Sequence, residues 1–492
     1  MRPVWTAAQA RAADATARER LSEATLIERA AQAVATRALA MLPSGYGSRA
    51  VVVAGKGHNG ADALSAGVLL AARGVRVDVV LAMGEPADEH GQRPLATLRR
   101  QGAHVVAPDD ATALLARADL VIDGVLGVGG RPDLPWPRMG AALADARAPV
   151  LAVDLPTGVD ADTGAVSPGA VSAAVTVTFG ALKVGLAVDP GAMCAGVIDV
   201  AGIGLASPDQ PTAVVIDADD VATTLAVLPR GETTKYERGV VGIVAGGPAY
   251  VGAAVLCAAG ALRAGAGMVR LHAAPATIDA VRGAWPEVVG VPLSADGIRA
   301  DAKTDAWVVG PGLGTDDDAA AALGAVLATN APVVVDADAI TLAAREPELL
   351  RRAAPTLVTP HVGEFQRLTG MDAARITADR LGVTRAAAAN LDVIVLLKGR
   401  HTIVASPTGM ARINPTGTPA LATAGTGDIL AGACGAYAAG IDLAESAAAA
   451  AWLHGLAARI AAGDTDPPVP IVAMDVAAAW PAAVRRTLPS RR

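Results

Sequence analysis

The stretch Gly55-Lys56-Gly57-His58-Asn59-Gly60-Ala61-Asp62-Ala63-Leu64 follows the apolar run Val51-Val52-Val53. Its glycines at 55, 57 and 60 have the G-x-G-x-x-G spacing of a turn between a parallel strand and a helix, the arrangement that binds dinucleotides. Such a turn predicts an α/β domain. What the turn holds is a separate question. A dinucleotide needs the helix N-terminus free for its pyrophosphate and an acidic residue about 20 positions on for its ribose. Asp78 lies near that distance, but in the middle of the strand-like VRVDVVL. Asp62 falls in the first turn of the helix, where its charge opposes a phosphate unless a cation intervenes.

The surrounding chain supports the α/β reading. Apolar runs predict strands over 50–54, 75–83, 120–122, 150–153 and 175–179, with Ala-rich helical stretches between most of them and a long opening helix over 6–40. A second series predicts strands over 240–245, 268–272, 306–309, 333–335, 356–359 and 393–397, then a hairpin over 401–413 around Pro407-Thr408-Gly409. Alternation of this kind is the signature of βαβ units and parallel sheets covered on both faces. The chain has 492 residues, which predicts more than one domain. The Gly-, Pro- and Ser-rich stretch AGIGLASPDQPTA suggests where they divide: a first domain over 1–207, a linker over 208–214 and a second domain over 215–489.

Bulk properties narrow the function. Hydrophobic residues make up 52% of the chain but aromatics only 2%, so the core is built from Ala, Val and Leu. The net charge of −7 offers no basic face for nucleic acid. Three widely spaced cysteines suggest neither a disulfide framework nor a zinc site, and fit a reducing cytoplasm. The N-terminus lacks an apolar signal core. Residues 239–262 are uncharged and long enough to cross a bilayer, but Gly246-Gly247-Pro248 interrupts them, so a strand, a turn and a helix are expected instead of a membrane span.

Ligands of open parallel sheets bind beyond the carboxyl ends of the strands. Asn59, Asp123 and Asp154 fall there in the first half. Asn59, Asp123 and the Thr157 hydroxyl offer oxygen donors of the hard type that bind alkali or alkaline-earth cations. Taken singly, each also has a plain structural explanation as a helix cap or turn residue. Taken together, GKGHNGADAL, DGVLGVGG, VDLPTGVDADTG and TFGALKVGL resemble, in order and spacing, the motifs of the YjeF N-terminal domain, the NAD(P)HX epimerases. The resemblance implies a Rossmann-like αβα domain that interconverts the R and S hydrates of a damaged nicotinamide cofactor. It places potassium on Asn59, Asp123 and Thr157. It places the hydrate, NADHX or NADPHX, on His58, Asn59, Gly60, Ala61 and Asp62, on Gly127, Val128, Gly129, Gly130, Arg131 and Asp133, and on Asp154. Epimerisation requires the hydroxyl of the hydrated carbon to leave and return, or the ring to open and close, and either route needs an acid/base group within reach. Asp154 is the candidate. Lys183 either supplies charge to the cofactor phosphates or is a surface lysine. His58, Ala61, Val128 and Thr157 depart from the usual Asn, Gly, Thr and Ser of the family motifs.

A second glycine turn lies in NPTGTPALATAGTGDIL. Gly425 and Gly427 leave backbone N–H groups bare at a helix start, an anion hole, with Asp428 beside it. A carboxylate next to a phosphate site has a role as the base that takes a proton from a substrate hydroxyl attacking a phosphoryl group. No P-loop pattern is present. With KYERGVVGIVAGGPAYVGAAVL, VGPGLG, VVVDADAI, TPHVGEF and VLLKGRHTIV, this turn resembles the ribokinase-like superfamily and, within it, the NAD(P)HX dehydratases. The resemblance implies a ribokinase-like αβα domain that phosphorylates the S hydrate from ADP, with Mg2+, and eliminates phosphate to restore NAD(P)H. It places the hydrate on Ala254, Gly312, Gly314, His361 and the catalytic Asp428, and the nucleotide on Lys398, Gly399, Arg400, His401, Thr402, Gly425 and Gly427. It also implies a homo-oligomer. Two alternatives stay open on the residues alone: a ribokinase-like kinase for a vitamin alcohol, and a non-catalytic cofactor sensor.

Overall fold

The computed structural model describes residues 1–129, 138–207, 210–228, 233–293, 304–463 and 468–489. The chain divides into two compact units, one of Arg2–Ala213 with Thr377–Arg380 and the other of Met1 and nearly all of the chain from Val214 onward. The last residues of the expected linker are ordered, because Ala213–Val215 forms a buried strand. Residues 208 and 209 lie outside the described residues.

The N-terminal unit is built on a seven-stranded sheet in the order Val105–Val106, Arg76–Leu81, Arg49–Ala54, Leu120–Gly124, Val150–Val153, Val175–Phe179, Val197–Ala201. Every pairing is parallel. The central strands are buried along almost their whole length, which is why they read as unbroken apolar runs. From Arg49–Ala54 the chain builds outward to one side, then crosses to Leu120–Gly124 and builds to the other. The crevice between the ends of these two strands is the switch point where such sheets bind ligands. Asp78, the rejected ribose partner, is buried in its strand and accepts a hydrogen bond from the His104 N–H (3.0 Å).

The opening helix is two helices, Ala7–Arg18 and Glu23–Met41. Each has its own N-cap: the Thr6 side chain accepts from the Gln9 N–H, and the Ser22 side chain from the Thr25 N–H. The cap at Ser22 ends the periodicity that had suggested one long helix. Before them, Arg2–Trp5 forms a short strand parallel to Leu182–Lys183, with Trp5 opposite Lys183. This pairing brings Lys183 out of the chain's polar background and into the interior.

In the C-terminal unit the sheet runs Val289–Pro292, Met268–Ala273, Val240–Val244, Ala306–Val309, Val333–Val335, Thr356–Val358, Ile394–Leu397. These strands are parallel. The hairpin Thr402–Ala405 and Ala411–Asn414 continues the sheet antiparallel, as expected from its Pro-Thr-Gly turn. Residues 239–262 divide into the strand Val240–Val244 and the helix Val251–Ala264, and no helix among the described residues is long and apolar enough to cross a membrane. That helix packs on Thr426–Ala438 through glycine. A Cβ on Gly260 would stand 2.1 Å from the Ile429 carbonyl oxygen, and one on Gly432 would stand 2.0 Å from that of Cys257. Backbone-to-backbone packing at this crossing fixes the start of Thr426–Ala438, and with it Asp428.

Two candidate active sites

In the N-terminal unit two of the three opening glycines, Gly55 and Gly60, are steric necessities. A Cβ on Gly55 would lie 2.1 Å from the Val125 carbonyl oxygen, and a Cβ on Gly60 would lie 2.1 Å from the Gly55 carbonyl oxygen. The turn therefore folds tightly onto the loop after Leu120–Gly124. Residues 58–62 are the beginning of the helix His58–Ala71, not a loop. Ala61, expected against the substrate, is 1% exposed and packs inward. Gly127 is placed beside both Asn59 and Asp154, since a Cβ there would meet Asn59 Oδ1 at 3.1 Å and Asp154 Oδ2 at 3.3 Å. Gly129 is exposed, while Gly130, Arg131 and Asp133 lie outside the described residues.

Asp123 and Thr157 meet in the interior. The Thr157 hydroxyl donates to Asp123 Oδ1 (2.7 Å) and the Thr157 N–H to Asp123 Oδ2 (2.8 Å). Burial pushes the Asp123 carboxyl up to about 6, against these two hydrogen bonds and one from the Val125 N–H. The side-chain nitrogen of Asn59 is buried without a hydrogen-bond partner among the described residues.

Asp154 has φ of 65°, left-handed for a residue with a side chain, a strained conformation of the kind concentrated at functional sites. Its Oδ1 accepts from Lys183 Nζ (2.7 Å) and the Thr178 hydroxyl (3.0 Å), and its Oδ2 from the Val128 N–H (3.3 Å). Lys183 is neither a surface lysine nor free to meet a phosphate. It is 2% exposed, and its ammonium also donates to the Thr178 hydroxyl (2.9 Å) and the Phe179 carbonyl (2.8 Å). A cleft of about 190 Å³ opens over this group, with Asp62, Asp154, Lys183, Val128 and His58 among its walls. His58 stands at its mouth, with Nε2 2.6 Å from Glu23 Oε1.

In the C-terminal unit, Gly425 has φ of 86°, a left-handed conformation that favours glycine, and a Cβ there would press on the Leu256 side chain at 2.3 Å. The Thr426 hydroxyl donates to the Leu421 (2.9 Å) and Thr423 (3.1 Å) carbonyls, tying the turn to the segment before it. Asp428 follows in the first helical turn. Burial raises its carboxyl to about 7; Asp336, Glu364 and Asp338 add to the shift and Lys398 opposes it. Lys398 Nζ donates to Asp336 Oδ1 (2.8 Å), lies 3.7 Å from Glu364 Oε2, and would be 3.5 Å from a Cβ on Gly427. Burial alone would push the Lys398 ammonium down, but Asp336, Glu364 and Asp428 hold it above its ordinary value.

Asp336 and Glu364, which sequence reasoning did not single out, thus organise the site. Asp336 is 1% exposed and also accepts from the Thr359 hydroxyl (2.8 Å). His361 caps the helix Val362–Thr369: its Nδ1 accepts from the Gly363 N–H (2.9 Å), and its own N–H donates to Glu364 (2.8 Å). The ring is exposed at this strand end, and its Nε2 lies 3.5 Å from Glu364 Oε1. Gly314 donates its N–H to Asp338 (2.9 Å), and Gly312 packs on Tyr250 and Ala253. Ala254, expected to touch the hydrate, is fully buried, with its methyl under Gly246. Gly399 and Arg400 are exposed, His401 is half-buried, and Thr402 turns inward to donate to the Gly399 carbonyl (2.9 Å).

Comparison with known proteins agrees with both halves. Residues 23–185 match the model of the YjeF-related protein N-terminus, and residues 241–473 that of NAD(P)H-hydrate dehydratase. The chain is 42% identical over 478 residues to the bifunctional NAD(P)H-hydrate repair enzyme Nnr of Mycobacterium leprae, covering 95% of this chain and 96% of that one. It is 37% identical to the enzyme of the same name from Salinibacter ruber, over 96% of this chain and 94% of that one. Among solved structures, the ADP/ATP-dependent NAD(P)H-hydrate dehydratase of Bacillus subtilis, co-crystallised with ATP and Mg2+, is similar at 29% identity and a TM-score of 0.52. It spans 55% of this chain and 97% of its own. A ribokinase-like superfamily protein of Enterococcus faecalis shares the fold of that half, at 23% identity and a TM-score of 0.50, over 57% of this chain and 99% of that one. With an N-terminal unit built around a strained aspartate and a C-terminal unit built around a glycine-turn aspartate, the chain belongs to the family of bifunctional NAD(P)H-hydrate repair enzymes.

Proposed function

We infer that this chain repairs hydrated nicotinamide cofactors in two steps: its N-terminal unit interconverts the R and S forms of NADHX and NADPHX, and its C-terminal unit dehydrates the S form with ADP. The observation that carries the reading is Asp428, half-buried in the first turn of a helix beside Lys398, with a carboxyl near 7. A base poised there takes the proton of a hydroxyl at neutral pH.

In the C-terminal unit, Asp428 accepts the hydrate's proton as that oxygen attacks the terminal phosphoryl group of ADP and AMP leaves. Phosphate is a better leaving group than hydroxide, so its elimination, with loss of a ring proton, restores the double bond. The bare N–H groups after Gly425 and the Lys398 ammonium face charge on the transferring group. Lys398 to Thr402 and Gly427 hold the AMP portion in this reading, and Gly312, Gly314 and His361 border the hydrate. Magnesium, when bound, would neutralise phosphate charge; it needs only one or two protein carboxylates, and Glu364, beside Lys398, could supply one while Asp428 stays free to act as base. Preference for ADP over ATP belongs to this proposal.

In the N-terminal unit, the hydrate lies in the cleft beside Asp154 and Asp62. Asn59, Asp123 and Thr157 fit a potassium ion: one buried carboxylate, hydrogen-bonded but with no cationic side chain paired to it among the described residues, and two neutral oxygen donors. The ion would contribute fixed positive charge under the turn. The reading takes 1–207 and 215–489 as the working domains. It also includes a homo-oligomer in a reducing cytoplasm, the latter supported by three unpaired cysteines.

The test is direct. The purified chain is mixed with R or S hydrate, ADP and Mg2+, and recovery of dihydronicotinamide absorbance is followed together with AMP. Both hydrates are recovered, the S form without a lag. Failure to restore the S hydrate, or restoration without AMP, sinks the dehydratase reading; recovery of the R form no faster than its spontaneous epimerisation sinks the epimerase reading.

A further inference from the structure

The N-terminal cleft holds two buried carboxyl groups in opposite surroundings. Asp154 is surrounded by donors: a lysine ammonium at 2.7 Å and a hydroxyl at 3.0 Å on Oδ1, and one N–H at 3.3 Å on Oδ2. This is the environment of a carboxylate, and Oδ2, with a single long contact beside Gly127, is its free edge. Asp62 lines the same cleft at 8% exposure, yet its Oδ1 is buried with no hydrogen-bond partner among the described residues. Among the described residues, the cations that line the cleft are committed elsewhere. Lys183 is held by Asp154, and Arg18 by Asp14 (2.8 Å) and Glu23 (3.3 Å). His58 is held by Glu23 (2.6 Å), and Arg11 reaches the Val128 carbonyl (3.5 Å). Burial, then the charges of Asp154 and Asp14, push the Asp62 carboxyl well above its ordinary value. Carboxyl pairs divided in this way mark an acid and a base.

We propose that Asp62 is the general acid of the epimerase, protonating the departing hydroxyl, and that Asp154 is the base that receives a proton from the returning water. The proposal rests on the epimerase reading above. Asp62 gives its proton to the hydroxyl oxygen of the hydrated carbon. The C–O bond breaks, the lone pair of the adjacent ring nitrogen becomes the second bond to that carbon, and one water departs. A water then adds to the opposite face. Its oxygen forms the new C–O bond, the nitrogen recovers its pair, and Asp154 takes the released proton. Solvent returns a proton from Asp154 to Asp62, and the opposite direction exchanges the two roles.

The test uses the full chain with Asp62→Asn and Asp62→Glu, measuring R-to-S conversion directly and dehydration of S hydrate in the same preparations. Asp62→Asn lowers epimerase kcat by at least about 100-fold with KM within about threefold. Dehydration of the S hydrate is unchanged, which certifies the preparation. Asp62→Glu restores part of the rate. In the wild type, epimerase kcat falls at high pH as Asp62 loses its proton, and this limb is missing from the residual rate of Asp62→Asn. Asp62→Asn with kcat near wild type, a change confined to KM, or retention of the alkaline limb each overturns the assignment while leaving the epimerase reading intact. A wild-type chain that does not interconvert the hydrates overturns both.

Discussion

The two glycine turns look alike in sequence and work differently. In Gly55–Gly60 the outer glycines, Gly55 and Gly60, are filled by the protein's own backbone: side chains there would collide with the Val125 and Gly55 carbonyls at 2.1 Å, while Gly57 between them meets nothing within 4 Å among the described residues. The helix they open carries Asp62 in its interior, and the lysine of this site is held by Asp154. At Gly425–Gly427 the second glycine faces open space, with only Lys398 Nζ at 3.5 Å. One turn is shaped to pack and to place carboxyl groups; the other leaves room for a phosphate beside a cation. A G-x-G pattern therefore specifies close approach, and what approaches is decided by charges brought in from elsewhere in the chain.

The largest separation of the two sites comes from Asp428→Asn. Removal of the base lowers dehydration of S hydrate by about 10²–10⁴-fold and leaves R-to-S conversion at its wild-type rate. Because the base must be unprotonated, kcat/KM for the S hydrate climbs as pH rises through about 7 and levels above it. A flat profile in the wild type, or a variant that still releases AMP at the normal rate, would break the contrast between a chemical turn and a packing turn.

Next is Lys183→Met, which strands Asp154 in the interior. Loss of one partner from a buried ion pair costs about 3–5 kcal/mol. Urea denaturation followed with probes in each unit should show the N-terminal transition moved to lower urea and the C-terminal transition in place. Equal midpoints for variant and wild type would mean that Asp154 finds other compensation.

The glycines themselves give a sharper pair. Gly60→Ala forces a methyl into the Gly55 carbonyl and destabilises the N-terminal unit by about 1–3 kcal/mol. Gly427→Ala has space for its methyl, so stability stays within about 0.5 kcal/mol, while calorimetric titration with ADP shows weaker binding. Gly427→Ala with full ADP affinity would place the nucleotide elsewhere.

How much of this was legible follows from the same physics. Parallel strands buried on both faces leave continuous apolar runs, so Val150–Val153, Val175–Phe179, Ala306–Val309 and Val333–Val335 stand at their expected limits. Arg2–Trp5 and Leu182–Lys183 carry too few residues for any period, and Val197–Ala201 is half exposed at the sheet edge. The break between the two opening helices lay in a local cap, Ser22, that a periodicity count passes over. In the sites, residue types at strand ends were readable, but partners were not. Lys183 and Asp154 are 29 positions apart and Lys398 and Asp336 are 62 apart, and their pairing is a product of strand order. Ala61 and Ala254 show the converse: a motif position carries a name forward whether its side chain faces the cleft or the core.

The smallest effect is expected at His58, where the opening stretch leaves its family pattern. The ring is 55% exposed, and its close partner among the described residues, Glu23, is 30% exposed and shared with Arg18 and His90. A surface pair of this kind is worth about 0–1 kcal/mol. Glu23 keeps Arg18 at 3.3 Å when the ring is gone, so the mouth of the cleft loses one contact and no buried charge is exposed. His58→Asn, which restores the usual residue, should therefore leave the N-terminal denaturation midpoint nearly unchanged and alter epimerase kcat/KM by no more than about fivefold, close to 1 kcal/mol. A change of 100-fold or more in either direction would move His58 from the rim of the site into its chemistry, and the first glycine turn would then act on the substrate directly as well as by packing.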